Sequence, residues 1–175
     1  MIVLKTLEEV EMMAQASKIV AEAHQVLKKE VRPGVTTLFL DSIAEEFIRG
    51  HGGVPAFKGY RNYPKTLCVA VNDEVVHGIP STRVLKEGDI IGLDLGAIVH
   101  GFYGDGAVTV PVGPVPDQVS TLMRVTEEAM MKGIEQGAHA SQACRYSRCI
   151  DAFSLEAHHS TRIPLSFFES RQVGI

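Results

Sequence analysis

Two apolar runs separated by a short connection constrain the fold of this chain more than any other feature. The runs are IIGLDLGAIV and GFYGDGAVTVPV, at residues 90–99 and 101–112. Their length and composition are typical of β-strands, and the short connection predicts an antiparallel hairpin. Each run carries one aspartate, Asp94 and Asp105. A turn at Val99-His100 would place the two carboxylates directly opposite each other, with Cβ atoms roughly 4.5–5.5 Å apart.

Two carboxylates this close in an apolar segment repel each other and lose solvation. Either one of them is protonated or a cation lies between them. Most neighbours predicted on the same face are small (Gly92, Gly96 and Ala107, with Tyr103 the exception), which leaves space for an ion and a ligand. The alternative is that one aspartate belongs only to a turn. Carboxylates accompanied by histidine and glutamate suit Mn, Co, Fe or Zn, and two such ions roughly 3.5–4 Å apart form a hydrolytic pair.

Helical spacing dominates the first 50 residues. Thr6 and Glu9 form a predicted capping box, and apolar residues then recur every three or four positions until Pro33 stops the helix. A second helix is predicted over residues 37–49, with Gly50 as its C-terminal signal.

The remaining pattern is mostly β. TLCVAV and EVVHGI flank Asn72-Asp73 and predict two strands and a turn, LKEGD predicts a further turn, and a third helix begins near Asp117 or Ser120. The order of elements predicts an α+β fold in which helices cover one face of a mainly antiparallel sheet.

Further candidate residues surround the hairpin in the sequence. His77 ends the EVVHGI run, where it is either structural or a group that hydrogen-bonds a substrate. The loop AFKGYRNYPKTLC carries Phe57, Tyr60, Tyr63 and Cys68. These four residues either pack the loop on the sheet or line an apolar side-chain pocket.

Composition excludes several classes of protein. The net charge is −4, and no basic stripe predicts a nucleic-acid partner. No apolar run approaches the roughly 18–20 residues that span a bilayer, and the start MIVLKTLEEVEMM turns acidic too early for a signal or transit peptide. Three cysteines without framework spacing favour a reducing compartment, so we expect a cytoplasmic protein.

Several separate blocks resemble type I methionine aminopeptidases, which have the pita-bread metallopeptidase fold. The blocks are FKGYRNYPKTLCVAVNDEVVHGIP, LKEGDIIGLDLG and GFYGDGAVTVPVG, together with the opening helices and RVTEEAMMKGIEQ. The resemblance covers residues 1 to about 136. It implies the N-terminal half of a pita-bread fold, with residues 137–175 as a divergent tail.

The resemblance also assigns roles to the candidate residues. Asp94 would be a bidentate metal ligand, Asp105 would bridge two divalent ions (Co, Mn, Fe or Zn), and His77 would contact the scissile peptide and shuttle protons. The methionine pocket would be lined by Phe57, Tyr60, Tyr63 and Cys68. Such enzymes remove the initiator methionine from nascent polypeptides, which implies the N-termini of nascent polypeptides as partners, met at the ribosome.

The family needs a further histidine in a His-Gly-Ile-Gly block and two glutamates, and no recognisable block in this sequence carries them. We therefore interpret the chain as truncated, with two metal ligands in an incomplete site, and expect little or no activity. The alternative is a catalytically inactive module of the same fold that binds nascent peptides or a protein partner.

The tail has its own hypotheses. A shifted reading frame near codon 137 would explain its scattered composition and would leave it poorly ordered, with poor stability for the whole chain. The alternative is a native tail in which Cys144, Cys149, His158 and His159 bind zinc, although their spacing differs from the usual paired pattern.

Overall fold

The computed structural model describes residues 4–139, with side chains from 4 to 135. The chain divides into two units, residues 1–114 and 115–175. The second contains α3, Asp117–His139, which begins where the sequence predicts. The hypotheses about a frame-shifted tail and about zinc at Cys144, Cys149, His158 and His159 lie outside the described residues. The domain boundary after residue 136 stays a prediction.

Two helices form one layer of the first unit. Helix α1, Leu7–Glu30, begins at the predicted capping box, because the Thr6 hydroxyl accepts from the Glu9 N–H and the Glu9 carboxylate accepts from the Thr6 N–H. Helix α2, Thr37–Gly50, is capped by the Thr36 hydroxyl. The helix ends at Gly50, one residue beyond the predicted end, but Gly50 is its last residue and the left-handed glycine is Gly52, with φ of +78°.

The second layer is a four-stranded sheet whose described strand pairs are all antiparallel. It consists of β1 (Val54–Pro55), β2 (Leu67–Val71), β3 (Ile90–Val99) and β4 (Phe102–Pro111). The two long strands match the predicted hairpin. Strand β3 is central, with β4 on one edge and both β1 and β2 along the other. The predicted α+β class is confirmed.

The predicted strand EVVHGI is wrong. The turn at Asn72-Asp73 is present, but the chain beyond it makes only an isolated bridge, in which the Val69 N–H donates to the Gly78 carbonyl at 3.0 Å. His77 adopts a φ of +57°, which a regular strand does not allow. This conformation turns the segment out of the sheet just before the bridge.

The core lies between the helices and one face of the sheet. It is built from residues that alternate along the strands and recur at helical spacing, and includes Val20, Ala23, Leu27, Leu40, Ala44, Ile48, Leu67, Val69, Val71, Ile91, Leu93, Leu95 and Ala97. Helix α1 approaches β4 so closely that a Cβ on Gly104 would lie 2.4 Å from the backbone between Ala16 and Ser17. Any side chain at position 104 would force the helix off the sheet.

Candidate metal centre

Asp94 and Asp105 share the sheet face that points away from the core, although they are not direct partners. In the observed register Asp94 lies opposite Ala107 and Asp105 lies opposite Gly96. The predicted direct pairing is therefore wrong, and the two aspartates are diagonal neighbours, a relation that separates residues by roughly 7–8 Å.

The turn explains the difference in register. It is formed by His100 and Gly101, with φ of +50° and +83°, one position later than predicted. Two positive φ values in a two-residue connection are those of a type I′ turn, and a glycine in the second place favours it. Moving the turn by one residue changes each pairing by two positions, so that Asp94 lies opposite Ala107 and not opposite Asp105, and a shift of two preserves which residues share a face. Asp94 and Asp105 consequently lie on the same face of the sheet, although the predicted register was wrong.

The electrostatics of this face follow from partial burial of a carboxylate. Asp94 is half-buried whereas Asp105 is exposed. The pKa of the Asp94 carboxyl is raised from 3.8 to about 6, mainly by burial and also by the charge of Asp105, while His77 opposes the shift. A group in this state is stabilised by a nearby cation, because the cation offsets both the lost solvation and the repulsion from Asp105.

Strand β2 places Cys68 directly beside Asp94 on the same face. Burial raises the pKa of the Cys68 thiol, a hydrogen bond from Tyr63 lowers it, and the charges of Asp94 and Asp105 raise it. The thiol therefore stays neutral at pH 7 and behaves as a small, soft apolar group. Among the predicted pocket residues, Cys68 is the one that the sheet register itself holds against a candidate ligand.

Tyr63 is tied to the backbone around the site. Its hydroxyl lies 3.0 Å from the Leu67 carbonyl and 2.9 Å from the Gly78 carbonyl. Burial is the main reason that the pKa of its phenol is raised, and hydrogen bonding to Cys68 contributes. Tyr63 thus joins the start of β2 to the segment that carries His77.

Phe57 covers the glycine that faces Asp105. A Cβ on Gly96 would lie 3.0 Å from Cε1 of Phe57 and 3.0 Å from Cβ of Ala56, and the Ala56 N–H donates to the Gly96 carbonyl at 2.9 Å. The space expected above Gly96 is therefore occupied by an aromatic ring. That ring gives the carboxylate face an apolar wall.

His77 and Tyr60 are exposed. The charge of His77 acts on Asp94, so its side chain lies within electrostatic reach of the carboxylate pair. Tyr60 begins a 3-10 turn, Tyr60–Asn62, and is 64% exposed, with the Arg61 guanidinium 5.4 Å from its ring centroid. The roles predicted for these two side chains toward a substrate stay predictions.

Asp41, which the sequence pattern did not mark as a functional residue, anchors the strand that carries Cys68. Asp41 is 5% exposed, and its Oδ1 accepts from the N–H groups of Thr66 and Leu67, both at 2.9 Å. Lys65 Nζ lies 3.7 Å from its other oxygen. The sequence pattern that could have revealed Asp41 is an acidic residue on the apolar side of a predicted helix, next to Leu40.

A groove beside α2 has neither Asp94 nor Asp105 among its lining residues. It is lined by Thr36, Leu38, Phe39, Asp41, Ser42, Glu45, Lys58 and Lys65. Its lysines already have partners, since Lys58 Nζ lies 2.6 Å from Glu45 and Lys65 pairs with Asp41. The candidate metal ligands, Asp94 and Asp105, lie on the sheet face and not in this groove.

The donor set at the sheet face fits a divalent cation in part. Asp94 and Asp105 supply oxygen ligands, which such ions accept, and the raised pKa of Asp94 reflects its burial and the charge of Asp105. Within the part of the chain that the structure describes, no group of three or more His, Cys, Asp or Glu side chains could hold a metal. The two aspartates are therefore candidate ligands of an ion that needs further donors.

Comparison with known proteins points to the same chemistry. Methionine aminopeptidase 1 of Bacillus subtilis (strain 168) is 45% identical over 153 residues, which cover 87% of this chain and 62% of that protein. The chain therefore spans less than two thirds of this relative. Among the described helices of the present chain, none is both long enough and apolar enough to cross a membrane.

Solved structures agree with the fold. The methionine aminopeptidases of Thermotoga maritima and Rickettsia prowazekii both match with a TM-score of 0.75, at 44% and 39% identity, over 77% of this chain and 54% of each of theirs. The pita-bread fold expected from the sequence is thereby confirmed for the matched part. The model of metallopeptidase family M24 matches residues 11–153, and membership implies a divalent metal cofactor. This chain belongs to metallopeptidase family M24.

Proposed function

We propose that this chain carries the N-terminal part of a methionine aminopeptidase site and removes N-terminal methionine from peptides at a low, metal-dependent rate. One observation carries the proposal. Two carboxylates share a sheet face with Cys68, which β2 holds beside Asp94, and with the Phe57 ring over Gly96. Metal ligands next to an apolar wall suit a peptidase that selects an apolar side chain.

Asp94 and Asp105 would hold the metal. When bound, a divalent ion supplies a Lewis acid and lowers the pKa of a coordinated water. Of the four metals named for these ligands, Mn is the one to test first, because carboxylate ligands suit it, and Co is tested beside it.

The other residues would bind and orient the peptide. Phe57 and the neutral thiol of Cys68 offer a soft apolar wall, which suits a thioether side chain. Exposed His77 is available to hydrogen-bond the scissile amide and to move a proton there. Tyr63 would hold the His77 segment in place through the Gly78 carbonyl. The exposed Tyr60 would close the pocket from the solvent side.

The low rate follows from the number of ligands. Two carboxylates alone bind a divalent ion weakly, because they supply only part of the coordination that such an ion needs. The expected glutamate that acts as acid and base in the family also lacks a counterpart in a recognisable block. Substrates would be newly made polypeptides with a small second residue, met in the cytoplasm at the ribosome.

Release of methionine tests the proposal directly. The full chain is incubated with Met-Ala-Ser and Mn²⁺ or Co²⁺, and free methionine is measured over hours at pH 7.5. We expect slow release that depends on added metal and disappears in Asp94→Asn and Asp105→Asn. N-acetylated Met-Ala-Ser is the matched control peptide, because its blocked amine cannot reach a metal. Release that persists in both variants would contradict the proposal.

A second candidate function is a module that binds peptides without turnover. It is favoured by the absence of a third metal-binding side chain among the described residues. Calorimetry with Met-Ala-Ser in the presence of EDTA separates the two candidates. Binding without metal, combined with no methionine release, would favour the module.

A further inference from the structure

Helix α1 buries one histidine among apolar residues. His24 is 8% exposed and lies on the face that also buries Val20, Ala23 and Leu27. Its Nε2 lies 3.2 Å from the Leu93 carbonyl. Since a carbonyl oxygen only accepts, Nε2 carries the hydrogen in this bond.

The bonded carbonyl belongs to the peptide that precedes Asp94. The amide nitrogen of that same planar unit is the nitrogen of Asp94. His24 therefore holds, from the core side of the sheet, the backbone unit from which one candidate metal ligand projects on the opposite side.

The same ring lies under the backbone of the other carboxylate. A Cβ built on Gly106 would be 3.5 Å from Cε1 of His24 and 3.1 Å from Cγ1 of Val20. Asp105 is flanked by Gly106 and by Gly104, the position where the helix backbone contacts the strand. Helix α1 thus packs on the side of the sheet opposite both aspartates. His24 is the buried polar residue of this helix that hydrogen-bonds β3 at Leu93 and lies beside β4 at Gly106.

We propose that His24 is a positioning residue for the metal site. It sets the relative position of Asp94 and Asp105 by linking the Leu93 carbonyl on β3 to the glycine after Asp105 on β4. The inference rests on the proposed function, because it requires that the two aspartates share a metal ion. An apolar side chain of similar size would fill the space but would not hold the Leu93 peptide.

The protonation state of the ring supports this role. Burial lowers the pKa of His24, the hydrogen bond to Leu93 raises it, Lys28 lowers it and Asp105 raises it. The ring is therefore neutral at pH 7 and adds no positive charge beneath the carboxylates. Its contribution is a directed hydrogen bond.

The test separates metal affinity from fold stability. His24→Leu removes the donor and keeps an apolar volume, His24→Gln restores an N–H donor, and Val20→Ala disturbs the same contact with Gly106 without touching the hydrogen bond. Each full chain is titrated with Mn²⁺ at pH 7.5, and its melting temperature is measured without metal. His24→Phe replaces His24→Leu if the leucine variant does not fold.

We expect His24→Leu to weaken Mn²⁺ binding about tenfold, in line with the loss of partners that orient metal ligands. Its melting temperature should stay the same or rise, because a buried polar group is gone. His24→Gln should recover most of the affinity. Val20→Ala should lower the melting temperature and leave Mn²⁺ affinity within about twofold, since its lost methyls act on packing.

Two results would overturn the inference while the proposed function stands. The first is unchanged Mn²⁺ affinity in His24→Leu. The second is a loss of affinity that tracks the melting temperature equally in the His24 and Val20 variants, since this would be a general packing effect. If the unsubstituted chain binds no Mn²⁺, the proposed function and this inference fail together.

Discussion

The two faces of the same four-stranded sheet are built by opposite rules. On the helix side, Leu93 and Leu95 are fully buried. On the other side, the alternate residues of the same strands include Asp94, a half-buried acid, and Asp105, an exposed one. Each strand therefore contributes to stability through one set of side chains and to a candidate site through the other.

The difference between the two faces shows which buried residues stabilise the fold and which destabilise it. Burying leucine stabilises the fold by about 1.5–3 kcal/mol for each side chain. Burying a carboxylate near another one destabilises it until a cation or a proton arrives. Truncation of a buried leucine on one face and neutralisation of Asp94 on the other should thus change stability in opposite directions.

Leu95→Ala on the core face should have the largest effect. It opens a cavity beside fully buried neighbours, so we expect a loss of about 2–5 kcal/mol in the free energy of unfolding. Urea denaturation of the full chain measures it. Tyr103→Ala is the matched control on the other face, where the side chain is 62% exposed and the loss should stay below about 1 kcal/mol. Equal losses would break the distinction between the faces.

Asp94→Asn should stabilise the metal-free chain at pH 7.5. The pKa of Asp94 is about 6 in the fold against 3.8 normally. The stability that its protonation adds is fully present below pH 3.8 and is lost as the pH rises through 6. Asparagine avoids that loss, so we expect a gain of about 1–2 kcal/mol after allowance for solvent screening.

Melting temperature against pH measures this effect. The advantage of Asp94→Asn should be small at pH 4 and should grow between pH 4 and 7. Asp73→Asn, at an exposed turn, is the control and should show no such growth. A variant that is less stable than the parent at pH 7.5 would show that Asp94 already has a compensating partner.

Tyr63→Phe should have the smallest effect, about 1 kcal/mol, because it removes one hydroxyl that bonds the Leu67 and Gly78 carbonyls. The effect should be local. The Val69 N–H, which donates to the Gly78 carbonyl, should exchange faster with solvent. Tyr60→Phe is the control, since Tyr60 is exposed. Unchanged exchange at Val69 would mean that Tyr63 does not hold the His77 segment.

The predictable parts of the molecule are those governed by local periodicity. The capping box at Thr6, the start of α3 at Asp117 and both long strands follow from spacing alone. The hairpin register does not, because its turn depends on two residues with positive φ, and His100 gives little warning of that conformation. The shared face of Asp94 and Asp105 was predictable, since a register change of two residues keeps the same side chains on the same face.

Contacts between distant segments were not predictable. Asp41 caps a strand that begins 26 residues later, and His24 bonds a carbonyl 69 residues away. Both are polar residues on otherwise apolar helix faces. This position indicates that they are unusual, but it does not predict which groups they hydrogen-bond. EVVHGI was misassigned for a similar reason, because its apolar composition suits a strand while His77 has a positive φ.

Titration of the full chain with Mn²⁺ by calorimetry at pH 7.5 measures whether the sheet face that carries Asp94 and Asp105 binds a metal ion. We expect weak, saturable binding in the unsubstituted chain that is lost in both Asp94→Asn and Asp105→Asn and retained in Asp73→Asn. Binding should also weaken below pH 6, where a proton competes for Asp94. Binding that survives in either of the first two variants, or no binding at all, would contradict the claim that this sheet face is a metal site.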